Sequence, residues 1–498
     1  MSYNSRKSDY RRRMMRRRRR ALARRLPLLA LAILGAAVIG CGFFVIKRQL
    51  AAGSAPAAGT VLADSENGAA PSGSAPGSPS AQPETGTGAP DSSEETGTPA
   101  ESKGSEEADA LLEEAARTAA GYDYDAAIEM LSASPFMETD PRFREAADEY
   151  EATRASLVPY DINQVTHVFF HSLVIDEAKA FDGDADESGY NQVMTTRDEF
   201  LKILQSMYDK GFVLVRLHDL ASETVDEDGN VRMEAGTILL PEGKKAFVMS
   251  QDDVCYYEYM DGDGFASRMV IGEDGKPTCE MKMDDGTIAT GAYDLVPILE
   301  EFIQEHPDFS YRGARAVLAF TGYQGILGYR TAASYSDSPT YEQDREAAAA
   351  VAQCLRDNGW ELASHSWGHR DLGAIEYSHF KTDCDKWESE VESLIGPTDI
   401  ILFPFGADVG DWHPYSSDND RFNYLYSLGF RYFCNVDSSQ YWVQLGRTSL
   451  RQGRRNLDGY RMWQDIAAGD NSEKRRLDDL FRAEDVFSPN RPTPVTWD

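Results

Sequence analysis

Cysteine is scarce in this chain, and the close pairs that structural zinc sites use are missing. The 498 residues include six cysteines, and no two of them form a Cys-x-x-Cys motif. A zinc site built mainly from cysteine is therefore not expected. Cys41 lies in an apolar run, which leaves five cysteines downstream, an odd number that cannot all pair within one chain. We expect at least one of these five to be a buried free thiol.

Aromatic residues are absent from residues 51–105, which consist almost entirely of Ala, Gly, Ser, Pro, Thr and Glu. This composition offers too little apolar surface to offset the entropy lost when a chain becomes ordered. We therefore expect a disordered linker, and a flexible chain of this length would reach roughly 40 Å.

Charged residues are absent from residues 26–46. At about 1.5 Å per residue, a helix of this length crosses the roughly 30 Å hydrocarbon layer of a membrane. Residues 1–25 carry eleven Arg and one Lys against a single acid. The positive-inside rule therefore predicts a basic cytoplasmic tail, one transmembrane helix in a bacterial cell membrane and an extracellular body. A cleaved signal peptide and a lipoprotein lipidated at Cys41 remain alternatives.

Positive charge is scarce outside the basic tail. The chain has 50 Lys and Arg against 82 Asp and Glu, and its formal net charge is −32. Nucleic-acid phosphates would repel so acidic a body, so nucleic acid is not expected as a partner.

Apolar positions at helical spacing predict three short helices, at 106–120, 124–132 and 141–156. The turn between the first two resembles that of a tetratricopeptide repeat, but a single hairpin cannot bury a solenoid core. We expect residues 106–157 to be a helical spacer, and contact with a partner protein is the alternative role.

Short apolar runs alternate with amphipathic helical patterns between residues 160 and 465. This alternation predicts an α/β fold in which helices cover a parallel sheet, either open or closed into a barrel. In such barrels the functional side chains lie at the carboxyl ends of the strands. Residues 466–498 form a C-terminal extension of this domain.

Two of the predicted strands end in side chains that suit a metal ion. Asp252 and Asp253 follow the strand at 244–250, and adjacent carboxylates are costly unless a cation compensates them. His365 and His369 follow the strand at 360–363, and imidazoles four residues apart can share one ion. Each motif alone is also compatible with a solvated turn or the start of a surface helix. Because both follow strands of the same predicted sheet, we expect them to converge.

Two His and one Asp would leave coordination positions open for water, as catalytic zinc sites require, which favours a hydrolase. Gly406, after the strand at 399–403, permits an unusual turn that could aim the Phe405 amide at a developing oxyanion. His171 follows the strand at 165–170 and is the candidate for acid catalysis. His413 is held in reserve for that role.

Three motifs resemble, in order and separation, the first three motifs of the polysaccharide deacetylases of carbohydrate esterase family 4, the NodB homology domain. They are SQDD at 250–253, HSWGH at 365–369 and FPFG at 403–406. The resemblance covers residues 160–465. It implies a distorted (β/α) barrel and removal of N- or O-acetyl groups from a glycan with the help of a divalent metal, usually zinc.

The resemblance also implies a role for each motif residue. Asp252 would be the general base. Asp253, His365 and His369 would hold the metal. The Phe405 amide would stabilise the tetrahedral oxyanion, and a protonated imidazole would supply the proton that the amine leaving group needs.

Three departures from the family pattern matter. Gln251 and Val254 flank the acid pair where Phe and Gly are usual. Leu402 replaces an Arg that would orient the base. No His follows His413, so the C-terminal Leu-x-His motif is absent. The chain resembles the circularly permuted branch, the deacetylases of poly-N-acetylglucosamine, in which the first strand supplies the acid, here His171.

The sequence therefore predicts an enzyme that removes acetyl groups from cell-wall or extracellular polysaccharide containing N-acetylglucosamine. Peptidoglycan is favoured by the length of the linker, exopolysaccharide by the permuted resemblance, and O-acetylated xylan comes third. The alternative is a non-catalytic glycan-binding or scaffold protein that keeps the barrel, which the missing Arg and C-terminal His motivate. A wall amidase is disfavoured because no His-Glu-x-x-His motif occurs.

Overall fold

The computed structural model describes residues 99–410, 412–437 and 440–497. The basic tail and the predicted transmembrane helix at 26–46 lie outside these residues, as does nearly all of the predicted linker. Within the described ranges, no helix is both long and apolar enough to cross a membrane. The described residues belong to one compact unit.

The strands of the described residues are numbered in chain order. They are β1 (Val158–Pro159), β2 (Thr166–Phe170), β3 (Phe212–Leu214), β4 (Ala221–Val225), β5 (Val231–Ala235), β6 (Leu239–Leu240), β7 (Lys245–Gln251), β8 (Arg268–Ile271), β9 (Pro277–Lys282), β10 (Ile288–Gly291), β11 (Val317–Phe320), β12 (Glu361–Ser364), β13 (Ile400–Leu402), β14 (Tyr432–Val436), β15 (Val443–Leu445) and β16 (Leu450–Asn456).

The helices cover the sheet and precede it. The α-helices are Pro99–Ala120, Tyr124–Ser132, Pro141–Ser156, Glu177–Ala180, Glu187–Val193, Arg197–Asp209, Leu295–Glu305, Tyr341–Asp357, Tyr377–Trp387, Ser393–Ile395, Asp420–Ser427, Gly459–Ala468 and Ala483–Val486, and a π-helical turn spans Glu388–Glu392.

Seven parallel strands close a barrel in the order β2-β7-β11-β12-β13-β14-β16, and β16 pairs with β2. The predicted α/β fold with a parallel sheet is confirmed, and it takes the closed form. β3 lies beside the start of β7. Two antiparallel excursions, β4–β5 and β8–β9–β10, stand apart from the barrel.

β16 is the barrel strand that the hydrophobic pattern misses. Its sequence, LRQGRRN, contains three Arg, yet its first six residues are buried. Arg residues are rarely buried unless they are paired. This strand brings several positive charges into the barrel, whereas the other barrel strands carry mainly apolar side chains.

The helix Arg197–Asp209 illustrates how the outer layer attaches to the barrel. A capping box between Thr196 and Glu199 starts it, and its apolar side chains at helical spacing are buried in the core. Glu199 also pairs at 2.7 Å with Arg491, and both side chains are fully buried. The C-terminal extension is therefore tied to the barrel through this ion pair.

The helical segment has the predicted second and third helices, and its first helix begins at Pro99 rather than 106. It packs on the barrel. Tyr122 donates a hydrogen bond to the Asp308 carbonyl at 2.9 Å, and Arg312 donates to Asp125 at 2.9 Å. A contact with a partner protein through this segment stays a prediction.

The five cysteines of the described residues are all buried free thiols. The expectation of at least one free thiol is confirmed.

Candidate active site

The acid pair follows β7 and the two histidines follow β12, and both motifs lie at the same rim of the barrel. They do so because the backbone hydrogen bonds between neighbouring strands continue into the first residue of each motif. The Asp252 N–H donates to the Phe170 carbonyl at the end of β2, at 2.8 Å. The His365 N–H donates to the Phe320 carbonyl at the end of β11, at 2.9 Å. The carboxyl ends of β7 and β12 thus present Asp252, Asp253 and His365 side by side.

Asp253, His365 and His369 converge on one point. One ligand atom from each lies within 4.8 Å of the others, and Asp253 Oδ2 is 3.5 Å from His369 Nε2. His365 Nδ1 donates to the Leu402 carbonyl at 2.7 Å, which leaves Nε2 as the ligand atom. Two imidazoles and one carboxylate at this spacing suit a divalent cation of the zinc type.

Backbone strain is concentrated in these motifs. Asp253, Ser366, His369 and Phe405 adopt left-handed φ angles of 57°, 57°, 49° and 58°. Each non-glycine residue in this region costs of order 1–3 kcal/mol, and such residues cluster at functional sites. The Gly of the usual motif is therefore not required after the acid pair, since Asp253 itself takes the turn.

Asp252 is nearly buried and is held by a cation from β16. Arg454 Nη1 lies 2.5 Å from Asp252 Oδ1, and Arg454 is fully buried. Burial raises the pKa of Asp252, but the charges of Arg454 and His365 outweigh it, so the pKa lies well below its usual range. The expectation that the replacement of the motif Arg by Leu402 leaves Asp252 without an orienting Arg is wrong, because Arg454 pairs with Asp252 from a different strand.

His171 follows β2, which neighbours β7 on the side away from β12, so the acid pair lies between His171 and the two other histidines. Its Nδ1 donates to the Val193 carbonyl at 3.1 Å, so Nε2 is the nitrogen that can exchange a proton. The ring is close enough to Asp252, Asp253 and Asp458 for its charge to act on all three carboxyl groups.

Gln251, which stands where the family has Phe, connects β7 to the His171 loop. Its Nε2 donates to Asp294 Oδ2 at 2.9 Å and approaches the His171 carbonyl at 3.5 Å. Asp294 Oδ1 accepts from the Leu173 N–H at 2.9 Å. The substitution thus adds polar bonds that hold the His171 loop in place.

Phe405 lies at the mouth of the site. Its side chain is 72% exposed, and its ring centroid is 4.5 Å from that of His369. Gly406 adopts φ 64°, and a Cβ there would come within 2.5 Å of the Val436 side chain. The unusual turn predicted at Gly406 is confirmed.

His413, the reserve acid, lies on an exposed loop. Its ring centroid is 3.7 Å from that of Trp412, and its carbonyl accepts from Arg451 at 2.6 Å. His171 has the better position, since it directly follows β2, which pairs with the strand that carries the acid pair.

Arg454 and Asp294 are site residues that sequence reasoning missed. One feature of the sequence could have indicated Arg454. The segment LRQGRRN contains three Arg, and if it forms a strand at least one of them is expected to point into the barrel. Asp294 precedes the helix Leu295–Glu305 and reads from sequence as an ordinary N-cap.

No protein-family profile and no curated protein matches the chain. Among solved structures, the chain is similar to the Streptococcus pyogenes deacetylase PplD in complex with acetate. The identity is 14% and the TM-score 0.32, over 61% of this chain and 96% of that chain. It is also similar to a de-N-acetylase from Aggregatibacter actinomycetemcomitans, with 13% identity and TM-score 0.34 over 59% and 95% of the two chains.

A polysaccharide deacetylase from Bacillus cereus is similar as well, with 12% identity and TM-score 0.31 over 60% of this chain and 65% of that chain. At these identities and scores, the assignment of a function depends on the residues of the site itself.

Proposed function

We propose that this protein is a metal-dependent hydrolase that removes acetyl groups from polysaccharide. The observation that carries the proposal is the convergence of Asp253, His365 and His369, with Asp252 and His171 beside them, at the carboxyl rim of the barrel. A buried carboxylate, a metal-binding triad and a free imidazole nitrogen are together the groups that amide hydrolysis requires.

Each side chain has a distinct task in this proposal. A bound divalent cation would acidify a water molecule and polarise the acetyl carbonyl. Asp252 Oδ2, which lies 3.9 Å from His365 Nε2, accepts the proton of the attacking water. Arg454 occupies Oδ1 and keeps the carboxylate ionised.

The later part of the reaction needs an oxyanion donor and an acid. The Phe405 N–H donates to the oxygen that becomes negatively charged as water attacks. His171 then donates the proton from Nε2 to the amine as the C–N bond breaks, since Val193 holds Nδ1.

The cation is proposed to be zinc, and the barrel to be of the NodB type. The substrate class is glycan containing N-acetylglucosamine, with peptidoglycan first, exopolysaccharide second and O-acetylated xylan third. The membership of the circularly permuted branch, the membrane anchor at 26–46 and the extracellular location of the barrel belong to the same proposal.

Acetate release from an acetylated chitooligosaccharide, with added zinc, tests the proposal. Wild-type protein is expected to release acetate, and Asp252→Asn to lose at least about 100-fold in rate because the proton acceptor is gone. Asp261→Asn is the matched control, since Asp261 lies in the segment that leads into β8 and pairs with Lys282 at 3.2 Å. Sugar binding without turnover in the wild type would support the non-catalytic alternative instead.

A further inference from the structure

A chain of hydrogen bonds lies behind Asp253, and the proposed mechanism does not use it. The Tyr257 hydroxyl donates to Asp253 Oδ1 at 2.7 Å and lies 2.6 Å from Thr321 Oγ1. Thr321 Oγ1 in turn lies 3.1 Å from the Cys255 sulfur. Tyr257 is 5% exposed, and Thr321 and Cys255 are fully buried, so bulk water does not compete for these bonds.

Counting protons fixes the direction of this chain. An ionised carboxylate can only accept, so the single proton of Tyr257 points at Asp253. Thr321 must then donate to Tyr257, and the Cys255 thiol lies within reach of both Thr321 Oγ1, at 3.1 Å, and the Thr321 carbonyl, at 3.6 Å. The Tyr257 and Thr321 hydroxyls are therefore both oriented towards Asp253, and successive bonds polarise one another.

The two oxygens of Asp253 have different partners as a result. Oδ1 is bound to Tyr257, whereas Oδ2 lies 3.5 Å from His369 Nε2. A carboxylate held in this way offers one oxygen to an ion. One carboxylate oxygen and two imidazole nitrogens suit a tetrahedral zinc site, whereas oxygen-rich calcium sites commonly use both oxygens of a carboxylate.

Two neighbouring rings keep Tyr257 in this position. The Tyr323 ring stacks on it with centroids 5.2 Å apart and an angle of 17°, and the Tyr259 ring does so at 5.6 Å and 15°. Moving the Tyr257 hydroxyl away from Asp253 would disturb both contacts. The stack therefore restricts the phenol to the rotamer that binds Asp253.

We propose that Tyr257 is a positioning residue for the metal ligand Asp253: its hydroxyl limits the carboxylate to one-oxygen ligation and so raises metal affinity. This inference rests on the metal site of the proposed function but not on the substrate. Hydrogen-bond partners of metal ligands typically contribute about 10- to 100-fold to metal affinity.

Zinc titration against a competing chelator tests the inference without any substrate. Tyr257→Phe keeps the ring stack and removes only the hydroxyl, so its zinc affinity is expected to fall by about 10- to 100-fold. Thr321→Val, which removes the donor behind Tyr257, is expected to cause a smaller fall. Tyr259→Phe is the matched control, since it removes a hydroxyl of the same stack without touching Asp253, and it should bind zinc as the wild type does.

Cobalt(II) spectra supply a second readout. Tyr257→Phe is expected to change the ligand-field spectrum of the cobalt-loaded protein, because Asp253 is then free to use both oxygens, and Tyr259→Phe is expected to leave it unchanged.

Zinc affinity of Tyr257→Phe within about twofold of the wild type would overturn the inference. If Tyr257→Phe does not fold, a zinc affinity of Thr321→Val equal to that of the wild type would overturn the inference. A wild type that binds no zinc would overturn this inference together with the metal site. Tight zinc binding that weakens in Tyr257→Phe, without acetate release by the wild type, would support the inference and contradict the proposed function alone.

Discussion

A histidine lies at each end of strand β12, and the two are in opposite electrostatic states: His218, from the turn after β3, is at the amino end, and His365 is at the carboxyl end. At the amino end, Glu361 contacts His218 Nδ1, and Asp399 Oδ1 lies 2.9 Å from His218 Nε2, so both ring nitrogens have carboxylate partners. At the carboxyl end, His365 uses Nδ1 on the Leu402 carbonyl and directs Nε2 towards the acid pair.

The pKa values of these histidines move in opposite directions. Burial alone would lower the pKa of His218, but its bonds to Asp399 and Glu361 outweigh burial and raise it to about 10. Burial lowers the pKa of His365, in spite of the nearby Asp252 and Asp253. A charged, fully bonded histidine stabilises the fold, whereas a neutral one with a free nitrogen can bind an ion. The comparison therefore separates a rim whose histidine stabilises the fold from the rim proposed to bind the metal.

Removing Arg454 is expected to have the largest effect, because it leaves Asp252 buried without its cation. Arg454→Met should lower the free energy of unfolding by about 3–5 kcal/mol and reduce acetate release as well. Urea unfolding measures the first effect. The double variant Asp252→Asn/Arg454→Met should recover part of the stability, since both charges are then gone. A loss below about 1 kcal/mol in the single variant would show that the pair is not buried as described.

His171→Gln is expected to reduce kcat by about 10²- to 10⁴-fold and to leave zinc affinity unchanged, because an acid is lost and no ligand is. His413→Gln is the control. If His413→Gln lost more activity than His171→Gln, the reserve candidate would be the acid.

His218→Gln is expected to have the smallest effect, confined to stability. The side chain is 41% exposed, so solvent screening reduces the loss to about 1 kcal/mol, and acetate release should not change. The folded pKa of about 10 lies above the ordinary value of 6.5. The stabilisation is therefore complete below pH 6.5 and disappears as the pH rises through 10.

Urea unfolding at several pH values checks this sign. Between pH 6.5 and 10, the wild type should lose more stability than His218→Gln. If the free energy of unfolding changed with pH in the same way in both proteins, His218 at the amino end of β12 would not be a charged histidine.

The sequence was informative where function depends on residues adjacent in the chain. Asp252 and Asp253 follow one apolar strand and His365 and His369 another, so the rule that sites lie at strand ends was enough to predict their convergence. The helix-covered parallel sheet also followed from the alternation of strands and helices, but that alternation did not decide between an open sheet and a closed barrel, and only the family resemblance implied the barrel.

The partners of these residues could not be predicted, because they come from distant and locally unremarkable segments. Arg454 lies on a polar strand 202 positions from Asp252, and hydrophobic patterns do not reveal such a strand. The Tyr257 hydroxyl reaches Asp253 only because the intervening turn uses left-handed residues, Asp253 and Tyr256. Positive φ at non-glycine residues is rarely visible in a sequence.

Zinc content per chain, measured after dialysis for the wild type, His365→Gln and His218→Gln, tests the contrast between the two rims most directly. One zinc ion is expected in the wild type and in His218→Gln, and none in His365→Gln. Equal zinc content in all three proteins, or no zinc in the wild type, would contradict the assignment of the carboxyl rim as the metal site.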